Sequence, residues 1–341
     1  SVIISRSLEG LLFLNRKKIF TDGSKKYFLT RYPLHLNDNF VDDKYGDLVT
    51  ENDNLLVNIM TDGIHQHVRP LNYIKHVKYL RRSSRVHILD SYIKLKDVIK
   101  GMKYMFKISR SFKSLYKKSY IFNGVDISTG VCDEISLSIL RIPRLIMLGE
   151  AIRDFASSNS INELYYYLHE YSYGKLFTYI FSSYYPDVKL VGYQHGPSSR
   201  RKMVYLNGKN ELRVDSNGID SFYLPQMVLA EDTYSADLYK ESGYRNVKLM
   251  DRVYRLSYLK NIQRKESDKN YVLIVPGLHD GRHLLETMKH DILLNTKDTY
   301  ILKPHPRASN NYIGDYSYIE NLTVSNSHIS KLLGMAKKVI V

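Results

Sequence analysis

The chain has 341 residues, 43% of them hydrophobic and 25% charged, with a formal net charge of +15, 30 tyrosines and no tryptophan. That is a globular composition, long enough for two domains with separate cores. Its one cysteine, Cys132, excludes a disulfide framework and a thiolate metal site, and a reducing, cytoplasmic setting is expected.

No apolar run reaches about 18 residues, the length of a membrane span, and the N-terminus lacks a charged-then-apolar signal layout. Neither a spanning segment nor export is expected. The excess of Lys and Arg favours anionic partners: nucleic acid, an anionic membrane surface or phosphorylated substrates. Lys, Asn, Ile and Tyr enrichment is equally what an AT-rich genome produces. The basic residues fall in short groups, such as Arg81, Arg82 and Arg85, or Lys117 and Lys118. With no basic tail, zinc-finger spacing or aromatic RNA-binding signature, no nucleic-acid partner is expected.

Along the chain, the first fifty residues give a mixed pattern without a clear boundary. LLVNIM (55–60) and RVHILD (85–90) read as short buried strands, the first entering a TDG turn. A long basic stretch (92–118) has helical spacing at Ile93, Leu95, Val98, Ile99, Met102 and Met105, and 131–155 repeats that spacing. ELYYYLHE (163–170) and DVKLVGYQHG (187–196) read as strands around a helix at GKLFTYIFSSYY. PQMVLAED (225–232) is a further strand, followed by a helix through TYSADLYKESG that ends at Gly243. KNIQRKESDKN (260–270) is polar and charged, as a linker would be. Beyond it come YVLIVPG, a helix through HLLETMKHDILL, TYILKPHP, LTVSN, a helix through ISKLLGMA, and KKVIV. Alternating short strands and helices predict parallel sheets covered on both faces. The expected plan is a domain over 1–259, a linker over 260–270 and a second domain over 271–341, with a cleft at the carboxyl ends of the strands.

Four stretches carry side chains suited to chemistry. In ILKPHPR, Pro304 and Pro306 stop the strand on either side of His305. Lys303, His305 and Arg307 there suit a phosphate, or are solvated charges of a surface turn. In GYQHGPSS, Gln194, His195 and Gly196 at a strand's end suit sugar hydroxyls or a carboxylate, or form a satisfied tight turn. In VPGLHDGRHLL, Gly277 and Gly281 bracket His279 and Asp280 ahead of a helix, a place for an anion or for a plain Asp280 N-cap. Glu170, after the tyrosine-rich strand, is a candidate general acid or base, or a surface glutamate.

The order of these pieces resembles the bacterial surface-polysaccharide glycosyltransferases of GT-B fold that use CMP-activated ulosonic acids: β-Kdo transferases, with HP-motif sialyl- and polysialyltransferases as more distant relatives. FNGVDIS (122–128) and RVYRLSYL (252–259) add to the likeness, which covers roughly 120 to 341. The resemblance implies two Rossmann-like domains facing a cleft, with His305 and Lys303 at the donor phosphate. Pro306, Arg307, Gly277, His279, Gln194 and Gly196 are placed with them on the donor. Asp280 and Glu170 match the places of a nucleophile and an acid/base in retaining members, and inverting relatives need only a base. His195 joins these two as a catalytic candidate.

GT-B nucleotide domains continue past the strand matched by KKVIV into a serine-containing turn, so the C-terminal domain is expected to be abbreviated or truncated. No convincing DxD loop is present, so neither a metal ion nor a cofactor is expected. The expected partners are a CMP-sugar donor, a glycan acceptor that is lipid-linked, and an anionic membrane surface touched peripherally. Three rivals stay open. They are a teichoic-acid-type glycerol- or ribitol-phosphate transferase, a non-catalytic glycan- or nucleotide-binding protein, and a nucleic-acid binder.

Overall fold

The computed structural model describes residues 25–37, 39–59, 62–63, 66–67, 70–168, 172–200, 207, 224–264, 270–305, 308–309 and 311–341. The chain divides into two compact units, Ser1–Arg255 and Leu256–Val341.

Unit 1 is built on a seven-stranded sheet. Its strands are β1 (Lys26–Tyr32), β2 (Asn54–Ile59), β3 (Val86–Ile88), β4 (Glu163–Tyr167), β5 (Lys189–Tyr193), β6 (Met227–Ala230) and β7 (Val247–Leu249). They lie in the order β7-β6-β5-β4-β1-β2-β3, and every neighbouring pair is parallel. Parallel strands are joined by crossovers, so both faces of the sheet must be covered. The helices are α1 (Pro70–Leu80), α2 (Leu95–Phe112), α3 (Ser128–Ser158), α4 (Ser172–Tyr184) and α5 (Thr233–Glu241).

The two-residue side-chain period divides the tyrosine-rich strands between two cores. Tyr27, Leu164, Tyr166 and Leu190 face one way, under Met147, Ile152 and Phe155 of α3 and Phe177 and Phe181 of α4. Phe28, Tyr165, Tyr167, Val191 and Tyr193 face the other way. They pack on Tyr73, Val77 and Leu80 of α1 and on Leu36 and Tyr45 of the connection after β1. Each such side chain contributes about 1.5–3 kcal/mol by leaving water.

β1, which neighbours the central strand β4, lies in the stretch where the sequence shows no clear element. Thr30 and Arg31 interrupt its apolar run, and the buried Thr30 hydroxyl is satisfied instead by a carboxylate, that of Asp42. The helices follow the sequence periodicity. Asp232 caps α5 by accepting from the Ser235 backbone N–H at 2.7 Å, and Gly243 closes it with φ of +91°, as expected of a glycine at that position.

Unit 2 repeats the scheme on a smaller scale, with β8 (Asn270–Ile274), β9 (Asp298–Leu302), β10 (Leu322–Val324), β11 (Ala336–Ile340), α6 (Gly281–Leu294) and α7 (Ile329–Met335). The parallel sheet runs β10-β9-β8-β11. Val272, Ile274 and Leu302 pack beneath Leu285, Met288 and Ile292 of α6, while Leu273 and Ile301 meet Leu332 of α7 on the other face. Both units are Rossmann-like α/β sheets, as the alternation of elements predicts.

One buried titratable group bears on stability. His87 of β3 sits edge-on to Tyr27 and Phe155, with ring centroids 5.4 and 5.9 Å away, and burial lowers its pKa from 6.5 to about 4. The unfolded chain therefore binds more protons than the native one between those values, so this contribution is present above about pH 6.5 and is lost as pH falls towards 4. His87→Phe should keep the aromatic packing and flatten the fall in urea-unfolding midpoint between pH 6.5 and 4. An unchanged pH slope would contradict the assignment.

Candidate functional site

In open parallel sheets, ligands bind outside the carboxyl ends of the strands where the strand order reverses, because the two flanking loops there diverge to opposite faces. In unit 1 the reversal falls between β1 and β4. In unit 2 it falls between β8 and β11.

At the unit 1 reversal stands Asp42, 0% exposed, on the connection that leaves β1. One carboxylate oxygen accepts from the hydroxyls of Thr30 in β1 and Tyr167 in β4. The other accepts from the backbone N–H groups of Lys44 (2.7 Å) and Tyr45 (3.0 Å). Burial pushes its pKa up and these donors oppose the shift. With both oxygens so occupied, Asp42 is a clasp, not a catalytic base. It fixes the connection across the two strands that form the crevice. The Tyr167 ring stacks on Tyr45 at 4.7 Å and meets His35 at 5.2 Å and His195 at 5.1 Å. Burial, aided by Lys44, Arg31 and His195, lowers the pKa of His35 to about 3, so its ring is neutral at physiological pH.

Beside the clasp lies a cavity lined by Arg31 of β1, Asn58 of β2, Tyr166 and Tyr167 of β4, and Gly174 and Phe177 of α4. Asn58 is 5% exposed, and its side-chain oxygen is buried with no hydrogen-bond partner among the described residues. A buried amide left unmatched costs about 1–3 kcal/mol, which a ligand hydroxyl would recover. The Arg31 side chain and the first turn of α4 border the same cavity, and a helix N-terminus favours negative charge.

Among the sequence candidates in this unit, Gln194, His195 and Gly196 lie together after β5. Gln194 is 0% exposed. Its amide donates to Gly196 O (2.9 Å) and Ser235 Oγ (3.0 Å) and accepts from the Glu231 N–H (2.9 Å). The amide thus ties the turn after β5 to the start of α5. Glu231, at the end of β6, is held by Arg255 through two bonds of 2.6 and 3.0 Å. Glu170 lies outside the described residues.

In unit 2, Gly277, His279 and Asp280 follow β8, while Lys303 and His305 follow β9 and are half-buried. The Lys303 N–H bonds Ile274 O at 2.8 Å, which sets the two turns side by side. Pro306 and Arg307 lie outside the described residues. Asp280 occupies the N-cap position of α6, yet its side chain makes no cap hydrogen bond. The carboxylate instead leans over Gly277, where an added Cβ would stand 3.0 Å from its Oδ1. At Gly281, a Cβ would stand 2.1 Å from the Tyr312 hydroxyl, which is buried without a partner among the described residues. Only glycine fits there.

Sequence reading missed Asp42, His35, Arg31, Asn58 and Tyr312. The available signal for Asn58 was a polar residue near the end of a short apolar strand, the position where a parallel sheet carries its ligand groups, whereas Asp42, His35 and Arg31 had none because β1 shows no apolar pattern. Tyr312 had no signal, since it arrives from a separate turn.

No family model matches the chain, and no curated protein matches it. Among solved structures, MurG of Acinetobacter baumannii is similar over 92% of this chain and 71% of its own, at 10% sequence identity and a TM-score of 0.40.

The clasp makes a direct prediction. Asp42→Ala leaves two hydroxyls and two backbone donors unsatisfied in the core, at a cost of roughly 3 kcal/mol. Urea unfolding of the variant should show that loss. A stability within about 0.5 kcal/mol of wild type would mean that Asp42 does not hold the crevice.

Proposed function

We propose that the chain is a GT-B-type glycosyltransferase that moves an ulosonic acid sugar from a CMP donor to a bacterial surface glycan. One observation carries the reading: two Rossmann-like sheets in one chain, each with polar and basic side chains at the carboxyl ends of its strands, among them Arg31 and Asn58 in unit 1 and Lys303 and His305 in unit 2. The order of the Glu170, QHG, glycine-turn and KPHP stretches supports the choice of donor.

In this mechanism Lys303 and His305 hold the donor phosphate, joined by Arg307. As the bond between the anomeric carbon and the phosphate oxygen breaks, negative charge grows on CMP, and preorganised cations there lower the barrier. Glu170 accepts the proton of the acceptor hydroxyl as its oxygen bonds to the anomeric carbon. The exposed Asp280 carboxylate, uncommitted to helix capping, supports a two-step route. Asp280 attacks the anomeric carbon, CMP leaves, and the acceptor oxygen displaces the carboxylate with overall retention.

Incubation with CMP-Kdo or CMP-sialic acid and a glycan acceptor tests the reading directly. Transfer is expected, reduced about 10²–10³-fold by His305→Ala. Asp280→Asn should fold and bind donor but not transfer, and the wild type should carry one sugar on the peptide containing Asp280. Transfer from neither donor would overturn the donor assignment, and an active Asp280→Asn enzyme would leave single-displacement chemistry.

A further inference from the structure

Helices α2 and α3 form an antiparallel pair. Lys100 meets Glu150 at 2.5 Å, Gly101 packs on the backbone of Pro143, and the Tyr116 hydroxyl lies 3.0 Å from Ser136 Oγ. The inboard end is part of the core, through Met147, Leu148, Ile152 and Phe155. The outboard end is different: from Met102 to Ile142 no residue is buried. That half is nevertheless strongly apolar. Phe106 is 59% exposed, and the tip carries Ile121 (61%), Phe122 (65%) and Val125 (62%). In the same half, α3 leaves Leu137 and Leu140 exposed.

The tip is ordered by its own hydrogen bonds. Phe122 pairs with Val125 across a two-residue turn in which Asn123 and Gly124 take φ of +49° and +78°, the primed hairpin turn that this dipeptide favours. The Ile127 N–H bonds Tyr120 O at 2.9 Å, and the Tyr120 N–H bonds Ser128 Oγ at 2.9 Å. The apolar side chains are therefore held outward, not left to collapse. Along α2 and the turn that leads to the tip, Lys103, Lys107, Arg110, Lys113, Lys117 and Lys118 are all exposed, and no acidic residue occurs between the first and last of these. The acidic residues of the facing segment are Asp126, bonded to the Ser128 N–H, Glu134, paired with Arg141, and Asp133.

We infer that this arm, residues 102–142, docks on an anionic lipid bilayer, its hairpin tip entering the headgroup region and its basic side chains pairing with lipid phosphates. Charge complementarity selects this occupant. A basic arm that ends in an outward-held aliphatic and aromatic tip supplies the two terms of interfacial binding, apolar burial and attraction to anionic headgroups. A nucleic acid would use the basic side chains but leave Ile121, Phe122 and Val125 in water. The inference is independent of the sugar-transfer reading.

Sedimentation with sucrose-loaded vesicles tests it, using phosphatidylcholine alone and phosphatidylcholine with phosphatidylglycerol. Wild type should bind the anionic vesicles at least about tenfold more tightly than the neutral ones. The Ile121→Ser, Phe122→Ser double variant and the Lys113→Glu, Lys117→Glu, Lys118→Glu triple variant should each lose about tenfold or more on anionic vesicles, with unchanged circular dichroism. All these positions are exposed, so folding is spared. Equal binding by wild type and both variants, or no binding to anionic vesicles, would overturn the proposal. So would oligonucleotide binding that only the triple variant loses, or a concentration-dependent dimer dispersed by the tip variant without vesicle binding. Sugar transfer in vesicle-free buffer, which the tip variant should perform like wild type, tests the reaction separately.

Discussion

The structure of unit 1 turns on one buried carboxylate. Asp42 spans the point where the strand order of the sheet reverses, bonded at once to β1, to β4 and to the backbone of the connection that links β1 onward. Two further bonds hold the connection, from the Tyr45 hydroxyl to Leu29 O and from the Tyr193 hydroxyl to Lys44 O, both 3.0 Å, but only Asp42 joins β1 and β4 through one group. Leu36 packs on the same core, a contact that is non-directional. Buried polar groups with every bond satisfied specify one arrangement where apolar packing alone tolerates several. The ring stack of Tyr45, Tyr167, His35 and His195 takes its geometry from this tie.

The same economy of position operates at both carboxyl edges. Strands that are buried on both faces leave only their ends for polar groups, so Arg31, Asn58, Lys303 and His305 all stand where a parallel sheet stops. The charge balance there is uneven. Around the unit 1 crevice, Lys44 and Arg255 face Glu231, and burial lowers the pKa of Lys44, while His35 is held neutral. The crevice thus has cationic groups whose strength is tuned by burial, together with an unmatched amide.

The strands with continuous apolar runs, the helix spacings and the order of the motifs were legible in the sequence. β1 was not, because Thr30 and Arg31 serve the crevice, not the core, and so erase the apolar pattern that would announce a strand. Asp42 was not, because a lone aspartate in a polar turn looks the same whether it faces water or closes a core. Gln194 has partners that its motif does not announce. Its type suited a ligand, but its amide is committed to Gly196, Ser235 and Glu231, which only the fold brings together. Asp280 shows the opposite case, since a good N-cap residue sits at an N-cap and does not cap.

The central claim is that the two carboxyl edges are where ligands bind. Amide hydrogen exchange followed by mass spectrometry, with and without a CMP-sugar and an acidic glycan, addresses it most directly. The account predicts slowed exchange on donor addition in 275–282 and 303–305, and on glycan addition in 31–36 and in the first turn of α4. Slowed exchange confined to other segments, with these unchanged at saturating ligand, would contradict it.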